Sequence, residues 1–159
     1  EAAIPGMIDL LTTNGGTAPL SRSAAAAVLG NIGSPAAEAV HALSRVMTDP
    51  HPIVRRNAAE ALGTIGVCSE ISVPALVSAV ADEDKLVRWN ALLAIARFGE
   101  SIDDAVPAAA AALADPDRYT RFYAGFALQR IGTPRAHEHL REHLQISRFC
   151  PLTTSDSPF

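Results

Sequence analysis

The sequence predicts an all-α protein, an α-solenoid in which two-helix repeats stack with a period of 33 residues. Thirty of the 159 residues are alanine, which joins the highest helix propensity to a side chain small enough for close helix approach. The chain overlays on itself at a shift of 33, so that Gly33, Gly66, Gly99 and Gly132 coincide, as do Arg22, Arg55, Arg88 and Arg121. Ala25, Ala58, Ala91 and Ala124 form a further column, and Leu29, Leu62, Ile95 and Leu128 keep an aliphatic residue in register. A unit of this length cannot cover its own apolar face, so a neighbour in the same orientation must stack on it.

In the third unit, Val73 to Ala81 reads as a first helix, Asp82-Glu83-Asp84 as a turn and Leu86 to Phe98 as a second helix. Val87, Ala91, Ala94, Ile95 and Phe98 follow the spacing of one buried stripe. Gly99 then suits the left-handed position that ends many helices. Pro74, Pro107 and Pro134 are expected near the starts of first helices, where a missing N–H is tolerated. On this count about nine helices, roughly four and a half repeats, fill residues 1–146, and residues 147–159 form a non-helical tail. An ankyrin array shares the period, but its TPLH-type turn is absent and these second helices are too long. Tetratricopeptide units would place bulky aromatics in the N-terminal repeats, which have none.

Composition narrows the function. A net charge of -4 lacks the dense basic surface that phosphate-backbone binding requires, so a nucleic-acid partner is not expected. Cys68 and Cys150 are too few for a disulfide framework and show no zinc spacing, which favours a reducing cytoplasm. The longest apolar stretch is about half of what a membrane span requires. Because Glu1 is not a methionine and leads at once into a helical pattern, the chain is expected to be a piece of a longer or processed protein.

Asp49, Asp82 and Asp115 each stand six residues before Arg55, Arg88 and Arg121. An aspartate in the turn can cap the second helix and accept from an arginine of the adjacent unit, which predicts a structural ladder of charge-assisted bonds. Gly16 takes that place in the first unit.

The runs DPHPIVRRNAAEALGTIG at Asp49 to Gly66, DEDKLVRWNALLAIARFG at Asp82 to Gly99 and DPDRYTRFYAGFALQRIG at Asp115 to Gly132 resemble HEAT-like repeats, specifically the subgroup named after phycobilisome lyases. The segment SRFCPLTTSDSPF is similar to the ends of some cyanobacterial members. The resemblance covers nearly the whole chain and specifies the repeat better than the function. It implies a role around phycobiliproteins: a binding or chaperone-like module acting in phycobilisome assembly or turnover, with a phycobiliprotein or a second HEAT-like subunit as partner. The alternatives are a bilin lyase subunit that attaches or isomerises an open-chain tetrapyrrole, and a scaffold with no pigment connection. No resident cofactor is implied, only a bilin as transient ligand, and the implied location is cytoplasmic with phycobilisome or thylakoid association. The His-Glu pairs with which deoxyhypusine hydroxylase, another HEAT-like protein, holds two irons are missing at Arg55 to Ala58, Arg88 to Ala91 and Arg121 to Ala124.

With second helices lining the inner surface, the groove positions run from Arg56, Asn57 and Glu60 through Trp89, Asn90 and Leu93 to Phe122, Tyr123 and Phe126. All eight aromatic residues lie from Trp89 onward, an asymmetry that packing does not require, since alanine and leucine fill the earlier sites. Exposed rings mark interfaces or flat-ligand pockets. The partner- or bilin-binding surface is therefore expected at Trp89, Asn90, Arg118, Tyr119, Phe122, Tyr123 and Phe126. The competing reading is that Phe122 or Phe126 fills a wider end of the core. Asp117 reads as an ordinary first-turn acid. His139 and His143 share a helix face, but two ligands do not make a metal site, and no nucleophile arrangement appears. Leu140, Leu144 and Ile146 would form an apolar edge unless the tail caps it.

Overall fold

The computed structural model describes residues 3–12, 18–99 and 102–149, with side chains as far as residue 145. Within them, nine α-helices pair into successive units. The first unit is α1 (Ala3–Thr12) with α2 (Pro19–Ile32), and the second is α3 (Val40–Val46), entered through the 3-10 segment Ser34–Ala39, with α4 (Pro52–Ile65). The third is α5 (Ser69–Ala79) with α6 (Lys85–Phe98), and the fourth is α7 (Val106–Ala111), flanked by the 3-10 turns Asp103–Ala105 and Ala112–Ala114, with α8 (Arg118–Ile131). The closing α9 (Pro134–Phe149) is the first helix of a further unit. The second helices pack in series, α2 on α4, α4 on α6 and α6 on α8, with the first helices in a parallel layer behind them.

The core lies between the layers. Ala58, Ala91 and Ala124 are fully buried, as are Leu29, Leu62, Ile95 and Leu128. The second-helix layer is drawn tight by small residues. A Cβ on Gly30 would meet the Ala61 Cα at 3.0 Å, and one on Gly63 would meet Ala94 Cα and Cβ at 2.6 Å. Between α5 and α7 the first-helix layer instead opens into two clefts of about 390 and 580 Å³. The second helices are thus the more closely packed layer, the arrangement expected of the inner side of a curved stack. The glycines that end α2 and α6, Gly33 and Gly99, have positive φ with ψ of -146° and -139°, a region nearly restricted to glycine.

Several boundaries differ from the sequence reading. The first helix of the third unit starts at Ser69 rather than Val73, so Pro74 is its sixth residue and not near its start. Pro134 begins its helix and Pro107 is the second residue of its own, both at helix starts as expected. α9 continues to Phe149, so residues 147–149 are helical where a non-helical tail was expected. The remainder of the tail, including Cys150, lies outside the described residues.

One arginine per unit ties the turns together. Arg22 Nε and Nη2 donate to Asp49 at 2.8 and 3.0 Å, and Arg55 grips Asp82 through the same two nitrogens at 2.7 and 2.8 Å. Arg88 repeats the contact on Asp115 more loosely. Its Nη2 donates at 3.1 Å, while Nε lies 2.9 Å from Oδ2 without the alignment of a hydrogen bond. Each of Arg55, Arg88 and Arg121 also turns Nη1 back onto carbonyls of its own turn: Asp49 at 2.8 Å, Asp82 at 2.9 Å and Asp115 at 2.8 Å. Arg121, expected in the ladder, meets no aspartate of a following unit among the described residues.

The ladder aspartates do not cap the second helices, contrary to the sequence reading. Their Oδ1 atoms accept from the N–H two residues on, at His51, Asp84 and Asp117. Those three residues occupy the N-cap positions, and Asp84 and Asp117 cap with their side chains. The carboxylate that holds the turn is thus separate from the one that starts the helix.

Chemical denaturation tests both the close helix contact and the arginine ladder. Gly63→Ala is expected to destabilise the protein by about 1–3 kcal/mol through overpacking. Gly30→Ala should be milder, because the helix propensity gain of about 1 kcal/mol offsets more of its smaller clash. Arg55→Ala should cost about 3 kcal/mol by leaving the largely covered Asp82 carboxylate without its partner, whereas Arg121→Ala, which loses only the carbonyl bonds of its own turn, should cost about 1 kcal/mol.

Candidate functional site

The expected binding residues fall on α6 and α8, adjacent second helices. Trp89 stands near the start of α6 and is half-buried against α8. Its indole N–H is shared between Asp117 Oδ2 at 2.7 Å and Thr120 Oγ1 at 3.0 Å. Thr120, fully buried, donates its hydroxyl to the same Asp117 oxygen at 3.1 Å. The Tyr119 ring meets Trp89 edge-on at 5.1 Å between centroids, Tyr123 lies tilted at 6.3 Å, and Phe122 continues the series edge-on to Tyr123 at 5.4 Å.

Exposure divides the series. Trp89 and Tyr123 serve the junction between two repeats and are half-buried. Tyr119, Phe122 and Phe126 are 45%, 65% and 37% exposed, which makes them a surface rather than the filling of a wider core. Two cations border them. Lys85 Nζ lies 5.8 Å from the Trp89 ring centroid. The Arg118 guanidinium stands 4.5 Å from the Tyr119 ring, and its Nη2 donates to the phenol oxygen at 2.6 Å. Such stacking leaves cationic edges open to an acidic or aromatic group. Asn90 is not directed at the rings. Its amide returns to the Leu86 carbonyl of its own helix at 2.7 Å.

Asp117 combines three tasks: it caps α8 through the Thr120 N–H at 2.8 Å, holds the Trp89 indole, and faces Lys85. Burial alone would raise its carboxyl pKa. The bonds from Thr120 and Trp89 and the Lys85 charge outweigh that and hold it below the usual aspartate value. The sequence showed only a first-turn acid here, and Lys85 and Thr120 were not singled out. A helix-start aspartate followed three residues later by threonine was the available signal, together with the isolation of the sole lysine.

The polar half of the inner face is a packing surface. Asn57 donates to the Ser23 hydroxyl at 2.7 Å and carbonyl at 3.2 Å in the preceding unit. Arg97 reaches Thr64 Oγ1 at 2.8 Å. On α9, His139 Nδ1 lies 3.7 Å from Glu142. Among the described residues no three His, Cys, Asp or Glu side chains are grouped to hold a metal ion, and no helix is long and apolar enough to cross a membrane.

Asp49 is also held below the usual aspartate value: burial opposes this, but the Arg22 fork and the His51 N–H prevail. A depressed carboxyl contributes stability above its unfolded pKa near ~3.9 and loses it as pH falls through the lower folded value. Urea midpoints should therefore hold from pH 7 to about 5 and fall steeply below about pH 4. In Asp117→Asn the acid-side fall should be shallower, and an unchanged slope would contradict the assigned role.

A family profile described as HEAT repeats matches residues 4–96 and again residues 73–148. No curated protein matches the chain significantly. Among solved structures, a designed armadillo repeat protein in complex with peptide (KR)4 is similar over 99% of this chain and 77% of that one, at 16% identity and a TM-score of 0.72. An engineered protein from a structural genomics programme is similar over 97% of this chain and 74% of that one, at 21% identity and a TM-score of 0.72. At such identities the likeness concerns the fold alone. The two profile matches together take in nearly every repeat described above, and the chain belongs to the HEAT repeat family.

Proposed function

We propose that the chain is a non-catalytic protein-binding module whose partner docks on the second-helix face over α6 and α8. The observation that carries this reading is the contiguous exposure of Tyr119, Phe122 and Phe126 beside the cations Lys85 and Arg118. Rigid rings give large contact area for little lost rotamer freedom, and residues of this kind concentrate binding energy. The neighbouring cations favour an acidic surface. The resemblance of the three repeat runs to the phycobilisome lyase subgroup makes a phycobiliprotein the proposed partner, with a role in phycobilisome assembly or turnover. That assignment of partner rests on the resemblance, whereas the location of the face rests on the exposed rings.

Trp89 is a poor first target for mutation, because its indole bonds join α6 to α8. Replacing Tyr119 and Arg118 together by alanine removes an exposed pair and should shift stability by less than about 1 kcal/mol. Capture of the protein on an immobilised phycobiliprotein should then weaken at least ~10-fold, equivalent to a loss of about 1.4 kcal/mol. Unchanged capture would refute the face, and absence of capture by the parent protein would refute the partner. A bilin lyase subunit would in addition change the absorption spectrum of phycocyanobilin on mixing, which the proposed module does not.

A further inference from the structure

The first-helix layer is interrupted inside the array. α1 packs on α3, α3 on α5 and α7 on α9, but α5 meets the fourth unit chiefly through the Asp103–Ala105 turn. The clefts of about 390 and 580 Å³ lie between α5 and α7 and adjoin at Val77, forming one groove. Both walls are described helices flanked by further described helices, α3 on one side and α9 on the other. Local sequence accounts for the gap. The α7 side carries only alanine from Ala108 to Ala112, and methyl groups do not reach across to α5. Pro74, inside α5, disturbs the preceding turn and removes the N–H that would bond the Glu70 carbonyl.

The groove is apolar along its length and acidic at one end. Val73, Val77 and Val80 line it from α5, and Ala108, Ala111 and Ala112 from the α7 side. Glu70 and Asp104 stand at the end where the first helices start, both exposed and without an ion pair or side-chain hydrogen bond among the described residues. Asp103 beside them is already engaged by Thr133 and Arg135. At the opposite end Asp82 and Asp115 are held by Arg55 and Arg88. Uncompensated negative charge therefore sits at the Glu70 and Asp104 end.

We propose that this groove is a second docking site, on the layer opposite the exposed rings, for an amphipathic helix of a partner protein with lysine or arginine in its last turn. The proposal does not rest on the ring face. Valine and alanine side chains along the groove give an extended segment nothing to pair its N–H and C=O groups with, whereas a helix bonds its own. α5 has 11 residues, about 16 Å, so three turns of a partner span the groove. Cations in the last turn meet Glu70 and Asp104 and also suit the helix dipole, which sets the partner antiparallel to α5. Charge excludes the stretches of this chain outside the described residues: residues 1–2, 13–17, 100–101 and 150–159 contain no lysine or arginine, and the last of them adds Asp156. With rings on one layer and this groove on the other, the module holds two proteins at once.

The test uses the full chain and, as probe, a fluorescein-labelled peptide of about twelve residues with leucine at i, i+3, i+4 and i+7, a pair of lysines in its last turn, and alanine or glutamine elsewhere. Anisotropy should show saturable binding. Ala108→Leu combined with Ala111→Leu fills the groove and should weaken it at least ~10-fold. Glu70→Gln combined with Asp104→Gln should weaken it to a similar extent, and lysine at both positions should transfer the preference to a probe with glutamates in place of its lysines. Circular dichroism should show unchanged helicity in each variant. The combined Tyr119 and Arg118 replacement should leave probe binding intact, and the groove variants should leave capture on a phycobiliprotein intact, so failure of one face is distinguishable from failure of the other. The proposal is overturned by no saturable binding, by binding indifferent to the leucine pair or to loss of the carboxylates, or by equal binding of a probe whose leucines are scrambled off one face. Binding that appears only after residues 150–159 are removed would make the tail the occupant and overturn it. A sedimenting dimer that the leucine pair dissociates would make the occupant a second copy and overturn it too.

Discussion

The forked contact between an arginine and the aspartate of the next turn sets the register on which the rest of the structure depends. Hydrophobic burial drives the helices together but is nearly indifferent to small slides and rotations. A guanidinium that must satisfy two carboxylate oxygens ahead and a carbonyl behind admits one placement. Because Arg55 does this while almost wholly buried, each unit inherits its orientation from the preceding one. The 2.6 Å that a Cβ on Gly63 would leave to Ala94 shows how close the second helices then come.

The same register explains why rings gather at one end without forming an ordinary core. Where α2 meets α4 and α4 meets α6, glycine and alanine let the backbones approach. Where α6 meets α8, Trp89, Tyr119 and Tyr123 occupy the inner side, and an indole bonded to Asp117 and Thr120 takes the part played by Asn57 on Ser23 earlier in the array. One unit further on, Phe122 occupies the Trp89 position and is exposed, with no following second helix against it among the described residues. The aromatic cluster is therefore two things: a junction at Trp89 and Tyr123, and an exposed surface at Tyr119, Phe122 and Phe126.

The architecture was legible because it is periodic. Four columns at one spacing specify the unit, its buried stripe and the glycine that ends it, and the alanine column is indeed fully buried. The exact helix starts were less so, since Ser69 and Pro74 belong to one continuous helix where proline suggested a beginning. Division of labour between neighbouring acids was hidden as well. Asp82 and Asp84 are two residues apart and chemically alike, yet one holds an arginine across the repeat and the other caps α6. Periodicity places residues on a face but not at a depth, so it could not separate the half-buried Trp89 from the exposed Phe122, which share one column.

Hydroxyl-radical footprinting of the isolated protein tests this division most directly, with rates corrected for the intrinsic reactivity of each side chain. The account requires Tyr119 and Phe122 to be modified quickly, Trp89 and Tyr123 more slowly, and Leu62, Ile95 and Leu128 least of all. Protection of Phe122 equal to that of Leu128 would mean that the inner face and its exposed rings are not where the repeat register puts them.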